Sequence, residues 1–365
     1  MSRTDVVVVG GGPAGAVVAA LLAAADAAVV LVDDGRAPWR AVGQQLAPSA
    51  LNVLRRLGVE RRLAAVSMPV QEARSAWADH ELDHRPALLN PYGPALAVDR
   101  TALDALLRTA AREAGARVVH GHARAAGDPV GRVGSRVDGG VDGRRLAGVP
   151  GLTGPVPVVV DATGAARGLT RGRLGWLGVD RLRCTVWQAR SARAGRQPWS
   201  LVESTADGWW YSAPAAGSER LTVMQVRELG DTSRAQSPTL PPRTAERLAA
   251  LPLPRPAAHR LAVVGCADPP WGPGLVAVGD AALSVDPLSS SGLRHALELA
   301  EPAAEAVLGL LTGDDRPAVR YTGLVRAAFV RHLADRQYVH AAAVRYRDES
   351  FWRQRAGDSG AFAAL

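Results

Sequence analysis

Val6 to Val9 is an unbroken run of β-branched residues, the pattern of a strand covered on both faces in a parallel sheet. It runs straight into glycines and then into the alanine-rich stretch 14–25, whose composition is that of a tightly packed helix; Val29 to Val32 repeats the buried-strand pattern. This strand, turn, helix and strand from Asp5 to Asp34 organises the chain. Ser49 to Leu57 predicts a short helix stopped by Gly58, and Arg74 to Glu81 a strand edge entering a polar loop. Ala95 to Val98 reads as a strand. Apolar positions 103, 106, 107 and 110 then follow the helical period and predict a helix from Thr101 to Ala114, with a further strand opening at Val118. Gly127 to Gly154 has no visible period and reads as hairpin loops or partial disorder.

Val156 to Val160 restores a valine-rich strand, interrupted only by Pro157. Leu182 to Ala189, Trp199 to Ser204, Gly208 to Pro214 and Arg220 to Arg227 predict four strands of a mostly antiparallel sheet. Gly274 to Asp280 returns to the buried-strand pattern. One long Ala/Leu helix is expected over Leu293 to Leu311 and another from Ala318 to about Arg347, with the last dozen residues frayed.

The turn after the first strand carries chemistry. Gly10, Gly12 and Gly15 form G-x-G-x-x-G between a strand and a helix, enclosing Pro13 and Ala14. The first glycine permits the sharp turn, the second lets backbone N–H groups approach a pyrophosphate, and the third brings helix and strand together. The helix N-terminus favours the anion. Asp33, eighteen residues after Gly15 at the end of the second strand, is placed to accept hydrogen bonds from an adenosine ribose. The complete context points to a dinucleotide site.

Composition changes this picture little. The 43 basic and 35 acidic residues give a formal charge of +8, but every basic residue is Arg, the arginines are scattered, and no nucleic-acid face is indicated. Cys184 and Cys266 form no C-x-x-C, so neither a disulfide framework nor a metal site is expected. The chain enters its first strand within five residues, and Asp26 and the glycine turn interrupt the apolar stretch from Val6 to Val32. The expectation is a soluble cytoplasmic protein without an integral membrane segment.

Three blocks spread over nearly the whole chain resemble the FAD-dependent monooxygenase superfamily, which includes p-hydroxybenzoate-hydroxylase-like enzymes and tryptophan halogenases. They are the glycine turn with Asp33, the Asp161-Ala162-Thr163-Gly164 turn with Arg171 downstream, and Gly279-Asp280 followed by Asp286-Pro287 and Gly292. The resemblance implies an α/β fold with a Rossmann-type FAD-binding domain (1–72, 95–180 and 260–315), an antiparallel-sheet substrate lobe (73–94 and 181–259) and a C-terminal helical segment (316–365). It also implies that Arg100, Asp161, Thr163, Gly164, Gly279, Asp280, Pro287, Ser291, Gly292 and Leu293 join the glycine turn around FAD. Asp280 matches the carboxylate on the ribityl chain, the 287–292 turn lies beside the isoalloxazine, and Arg100 matches a phosphate contact, although a solvated arginine at a helix start fits equally.

The Asp286 to Gly292 stretch and the Gly208 to Pro214 stretch look like the halogenase branch, but halogenases depend on an active-site lysine and this chain has none. LodB-like flavoproteins and the hydroxylases that mature quinohemoprotein amine dehydrogenase fit better. Their motifs resemble Asn90-Pro91-Tyr92-Gly93 and Arg74-Ser75-Ala76-Trp77, with Gly43-Gln44-Gln45-Leu46 standing where the group usually has Gly-Glu-Ser-Leu. That likeness implies hydroxylation of an electron-rich aromatic, foremost a tryptophan in a peptide or protein partner. O2 would be the cosubstrate, acting through a flavin C4a-hydroperoxide, with electrons from NAD(P)H directly or from a separate flavin reductase. A flavin dehydrogenase acting on a small molecule is the alternative, and a non-catalytic FAD protein binding a partner peptide a third.

Gln45, Trp77, Trp209, Tyr211, Pro287, Leu288 and Ser289 are the candidate substrate contacts. Trp209 and Tyr211 share one face of a predicted strand, which either lines the substrate cavity or packs between the lobes. Asp79, His80 and Glu81 are the candidate proton acceptors, a solvated polar loop being the other reading. Ser289, Ser290 and Ser291 are expected to cap the following helix.

Overall fold

The computed structural model describes residues 3–36, 44–126, 144–190, 198–230, 238–249 and 251–357. Val6–Val9 lies inside a six-stranded sheet ordered 271–272, 275–277, 158–161, 6–9, 29–33 and 117–120. Its neighbours are parallel throughout, except that the 271–272 edge runs antiparallel. Val6, Val7 and Val8 have no exposed surface, as a β-branched run between two layers requires. The helix Pro13–Ala24 packs against this sheet on an almost wholly buried, small-residue face. Gly15 makes that approach possible, since a Cβ there would lie 2.0 Å from the Gly10 carbonyl oxygen.

The second sheet has eight strands in the order 283–284, 258–267, 176–190, 220–228, 208–214, 199–205, 72–76 and 83–86. All four expected strands are present, and only the 199–205 and 72–76 pair is parallel. Strand 258–267 follows a proline-rich stretch. Trp209, Tyr211 and Ala213 point into the main core, shared with the Rossmann layer. Trp210 points the other way and stacks on Trp187 at 5.5 Å and 11°. A third, small antiparallel sheet joins 44–46, 95–98 and 67–70. Strand 124–125 pairs with 146–147, and the part of the aperiodic glycine-rich stretch between 127 and 143 lies outside the described residues.

One C-terminal expectation is corrected. The single helix expected over Leu293 to Leu311 is two, Gly292–Glu298 and Ala300–Leu311. Pro302 explains the break, because it has no N–H to offer the Glu298 carbonyl and its ring collides with that oxygen. Of the last dozen residues, expected to be frayed, 358–365 lie outside the described residues. Beyond the long helix Arg316–Ala341, residues Ser350–Ala356 form another helix, with Phe351 and Trp352 buried. Trp352 meets Trp77 edge-on at 5.2 Å and donates its Nε1–H to the Thr205 carbonyl at 2.7 Å. No described helix is long and apolar enough to cross a membrane.

Candidate cofactor and active site

The glycine turn presents an open helix end. Gly12 precedes the helix without a side-chain cap, Pro13 occupies the first turn, and no acidic residue sits there. A Cβ on Gly12 would meet only the Arg100 guanidinium, at 3.7 Å. The unpaired N–H groups and the positive dipole end therefore face space beside a fixed cation, a suitable arrangement for a phosphate. Gly10, at φ +116°, lets the neighbouring strand end close in, since a Cβ would stand 2.2 Å from the Ala162 oxygen.

Arg100 opens the helix Arg100–Glu113, which Asp99 caps by accepting from the Ala102 N–H at 3.1 Å. Its Nε donates to Asp104 at 2.6 Å. One turn further, Arg108 donates to the Gly11 carbonyl at 3.1 Å and pairs with Asp33 at 3.4 Å. Arg100, Asp104 and Arg108 thus form one charged ridge along the glycine turn. Sequence reasoning missed Arg108; its spacing of eight from Arg100 was the available signal.

The Asp161 carboxylate is fully engaged within the chain. Both carboxylate oxygens are engaged within the chain, by the Thr163 N–H and hydroxyl, the Leu169 N–H, and the Thr170 N–H and hydroxyl, all at 2.6 to 3.0 Å. Thr163 Oγ1 in turn accepts from the Gly168 N–H at 2.6 Å. The Asp161 carboxylate and the Thr163 hydroxyl therefore shape the 161–170 turn. Gly164, at φ +69°, has open space around its Cα.

The third block closes onto the first. Gly279 adopts φ +59°, and a Cβ there would lie 2.8 Å from the Ala14 Cβ. Asp280 follows. No described residue donates a hydrogen bond to its carboxylate; burial pushes its pKa up and the Arg100 charge opposes that shift. Arg100 therefore stands between Gly12 and Asp280. Because the folded pKa lies above the unfolded one, the ionised carboxylate at neutral pH costs the empty fold stability. Asp280→Asn should accordingly raise the melting temperature of the cofactor-free protein. It should also weaken FAD binding by roughly 1 to 3 kcal/mol, the range for a hydrogen bond to a charged group. Calorimetric unfolding and FAD titration check the two signs.

The turn before the helix Gly292–Glu298 is built differently from the expected cap. Ser291 precedes the helix with no side-chain cap bond. Ser289 Oγ instead donates to the Asp286 carbonyl at 2.9 Å and pairs with Ser291 Oγ at 2.7 Å, while Ser290 sits at φ +49°. Pro287 and Leu288 are half-buried on this turn, and Leu293 is buried in the main core. The residues behind the turn, His332, Arg336 and His340, were not anticipated; a titratable or cationic side chain at every fourth position of one helix was the signal.

A cavity of about 480 Å³ lies between the small sheet and the edge of the large one, lined by Gln45, Ala73, His84, Asn90 and Ser200 among others. Gln45 Nε2 is buried without a hydrogen-bond partner among the described residues. Trp209 and Tyr211 share a face as expected, but both are packed into the core between the layers, and neither lines this cavity. Trp77 donates to the Val339 carbonyl at 2.7 Å and holds the C-terminal helices. Asp79, His80 and Glu81 are exposed. Arg345 grips the Asp79 carbonyl and His80 Nδ1, and Arg243 the His80 carbonyl. The two arginines thus pin this loop at the surface.

Comparison with known proteins adds to this geometry. Residues 3–139 match the FAD binding domain family. No curated protein matches the sequence significantly. Among solved structures, the peptidyl tryptophan dihydroxylase QhpG, essential for tryptophylquinone cofactor biogenesis, superposes with a TM-score of 0.76 at 23% identity, covering 98% of this chain and 80% of that one. A triple mutant of the flavin-dependent brominase Bmp2 also gives 0.76, at 17% identity over 99% of this chain and 97% of that one. PqsL from Pseudomonas aeruginosa, a probable FAD-dependent monooxygenase, gives 0.71 at 18% identity over 99% and 100%.

Proposed function

On the premise that this chain has the fold of the FAD-dependent monooxygenase superfamily, with an FAD binding domain over residues 3–139, we propose that it is an FAD-dependent monooxygenase of an electron-rich aromatic, foremost a tryptophan carried by a peptide or protein. The observation that carries the cofactor reading is the pairing of Gly12 and Asp280 across Arg100: an open helix N-terminus and a half-buried carboxylate with no described donor. A dinucleotide supplies what both lack. Its pyrophosphate fits the N–H groups beside Gly12 and Arg100, and its ribityl hydroxyls fit Asp280 as donors. Asp33, held by Arg108, is left to the adenosine ribose.

When bound, reduced flavin would activate O2 toward attack by an electron-rich ring. The chain's own residues would do the remainder. The turn Asp286 to Gly292 and the buried face of the large sheet keep water from the reacting region, where it would discharge the oxidant. The Gln45 amide has a donor to spend on a carbonyl of cofactor or substrate. QhpG, which acts on peptidyl tryptophan, supports the substrate class. NAD(P)H or a separate flavin reductase would supply the electrons.

Oxygen uptake tests the substrate assignment. Photoreduced protein exposed to air should consume O2 with coupled product formation when given tryptophan-containing peptides, and with markedly poorer coupling when given free indole. Equal coupling would reject the peptide preference. Turnover of a small molecule without O2 would replace the monooxygenase reading with the dehydrogenase alternative.

A further inference from the structure

A buried carboxylate, Asp286, and a half-buried one, Asp180, both outside the proposed FAD contacts, are joined by one arginine. His332, Arg336 and His340 are four residues apart on the helix Arg316–Ala341, so they share a face, and all three are buried. That face meets Asp286. The Asp286 N–H donates to His332 Nε2 at 3.0 Å, and its carboxylate accepts from the Leu288 N–H at 3.0 Å and from Arg336 Nε at 2.9 Å. Its carbonyl accepts from the Ser289 N–H at 3.1 Å and Ser289 Oγ at 2.9 Å. Every polar group of Asp286 is thereby assigned a partner.

The other arm of Arg336 meets Asp180. Asp180 also accepts from Arg355 Nε at 2.7 Å and Nη2 at 3.0 Å, and Arg355 belongs to the last helix, Ser350–Ala356. Asp180 sits at a register shift between strands 176–190 and 258–267, the kind of irregularity that re-aims a side chain. The result is an alternating chain of charges, Asp286, Arg336, Asp180 and Arg355, running from the turn to the C-terminal helix. Burial alone would raise the Asp286 pKa, but His340, Arg336 and the Leu288 N–H hold it well below the carboxylate range. Burial also lowers His332 to about 4 and lowers His340, so both rings are neutral near pH 7.

Buried ion chains are poor sources of stability, because apolar residues of similar volume commonly do as well; their better-attested use is to fix one geometry among several. Here a geometry needs fixing. Ser290 is a non-glycine residue at φ +49°, a conformation that persists only where the surroundings over-determine it.

We propose that Arg336 is a positioning residue which, with Asp180 and Arg355, ties the Asp286 to Gly292 turn to the docked last helix and so sets one wall of the flavin crevice. This rests on the reading that the turn lies beside the isoalloxazine. Linkage then makes the coupling reciprocal: FAD that requires this wall stabilises docking of the last helix, and docking favours FAD.

The test compares full-length wild type with Arg336→Lys, Arg336→Met and Arg355→Met, reading amide exchange at Leu288 and Ser289 in the cofactor-free protein and then FAD affinity and the bound-flavin absorption spectrum. Arg355→Met touches neither the turn nor the proposed FAD contacts, and it keeps the test valid if Arg336→Met fails to fold. Both Met variants should speed exchange at Leu288 and Ser289 and weaken FAD binding by on the order of tenfold, the scale of one charge-assisted contact. Their residual bound flavin should show a shifted spectrum, and Arg336→Lys should fall in between. Unchanged exchange in Arg355→Met would overturn the tie to the last helix. Faster exchange with unaltered FAD affinity and spectrum would overturn the coupling to the crevice. Absence of FAD binding by wild type, with exchange behaving as described, would instead reject the proposed function and leave the tie standing.

Discussion

Gly12→Leu should fold like the wild type and lose FAD. The backbone at Gly12 is at φ −75° and ψ −176°, open to any residue, and the new Cβ would meet nothing nearer than the Arg100 guanidinium at 3.7 Å. Leucine is a poorer residue than glycine at this position before a helix, a cost of about 1 kcal/mol or less. Its side chain would nevertheless fill the space over the helix N-terminus that a pyrophosphate needs, so affinity should fall by on the order of a hundredfold or more. Gly15→Ala provides the contrast. Its Cβ would stand 2.0 Å from the Gly10 oxygen, so the turn itself must move, and thermal stability should fall together with FAD binding. Thermal unfolding with FAD fluorescence quenching separates the two variants. Undiminished FAD affinity in Gly12→Leu would reject the phosphate site.

The second large expectation concerns halide. Reduced protein given O2, bromide and a tryptophan peptide should transfer oxygen and no bromine. A halogenating site needs an amine to hold the oxidised halogen, and the chain contains no lysine. Arginine is a poor substitute because its guanidinium stays protonated and delocalised. The similarity in fold to a brominase does not alter this, since a shared scaffold carries several chemistries and the reacting groups decide among them. A brominated peptide would reject the reading.

The cofactor half of the molecule was largely legible because its constraints are local and covalent. A strand buried on both faces must be β-branched, and a turn that touches a second strand must be glycine, so Val6 to Val9, Gly10 and Gly15 announce themselves. The long-range consequences were not legible. Asp161 was placed among the cofactor contacts, and only the folded turn reveals that Thr163, Leu169 and Thr170 use up its oxygens. The Asp79 to Glu81 loop reads from composition either as a proton acceptor or as a solvated polar loop, and only the fold brings up Arg345, more than 260 residues away in sequence, which fixes it at the surface. Arg336 is the extreme case. Its partners Asp180 and Asp286 lie on other elements, and the four-residue spacing with His332 and His340 was the one local sign that set it apart from the scattered arginines.

The substrate side remained the least readable because an apolar sheet face looks the same whether it covers a ligand or a neighbouring layer. Trp209 and Tyr211 satisfied the alternation rule and proved to be core. Gln45, singled out on motif grounds, lines a cavity with an unpaired amide.

The most direct measurement is mass spectrometry of a tryptophan-containing peptide after one turnover of the reduced FAD-loaded protein with isotopically labelled dioxygen. Incorporation of one or two labelled oxygens into the indole is the predicted result. An unmodified peptide, or a product whose oxygen comes from unlabelled water, would contradict it.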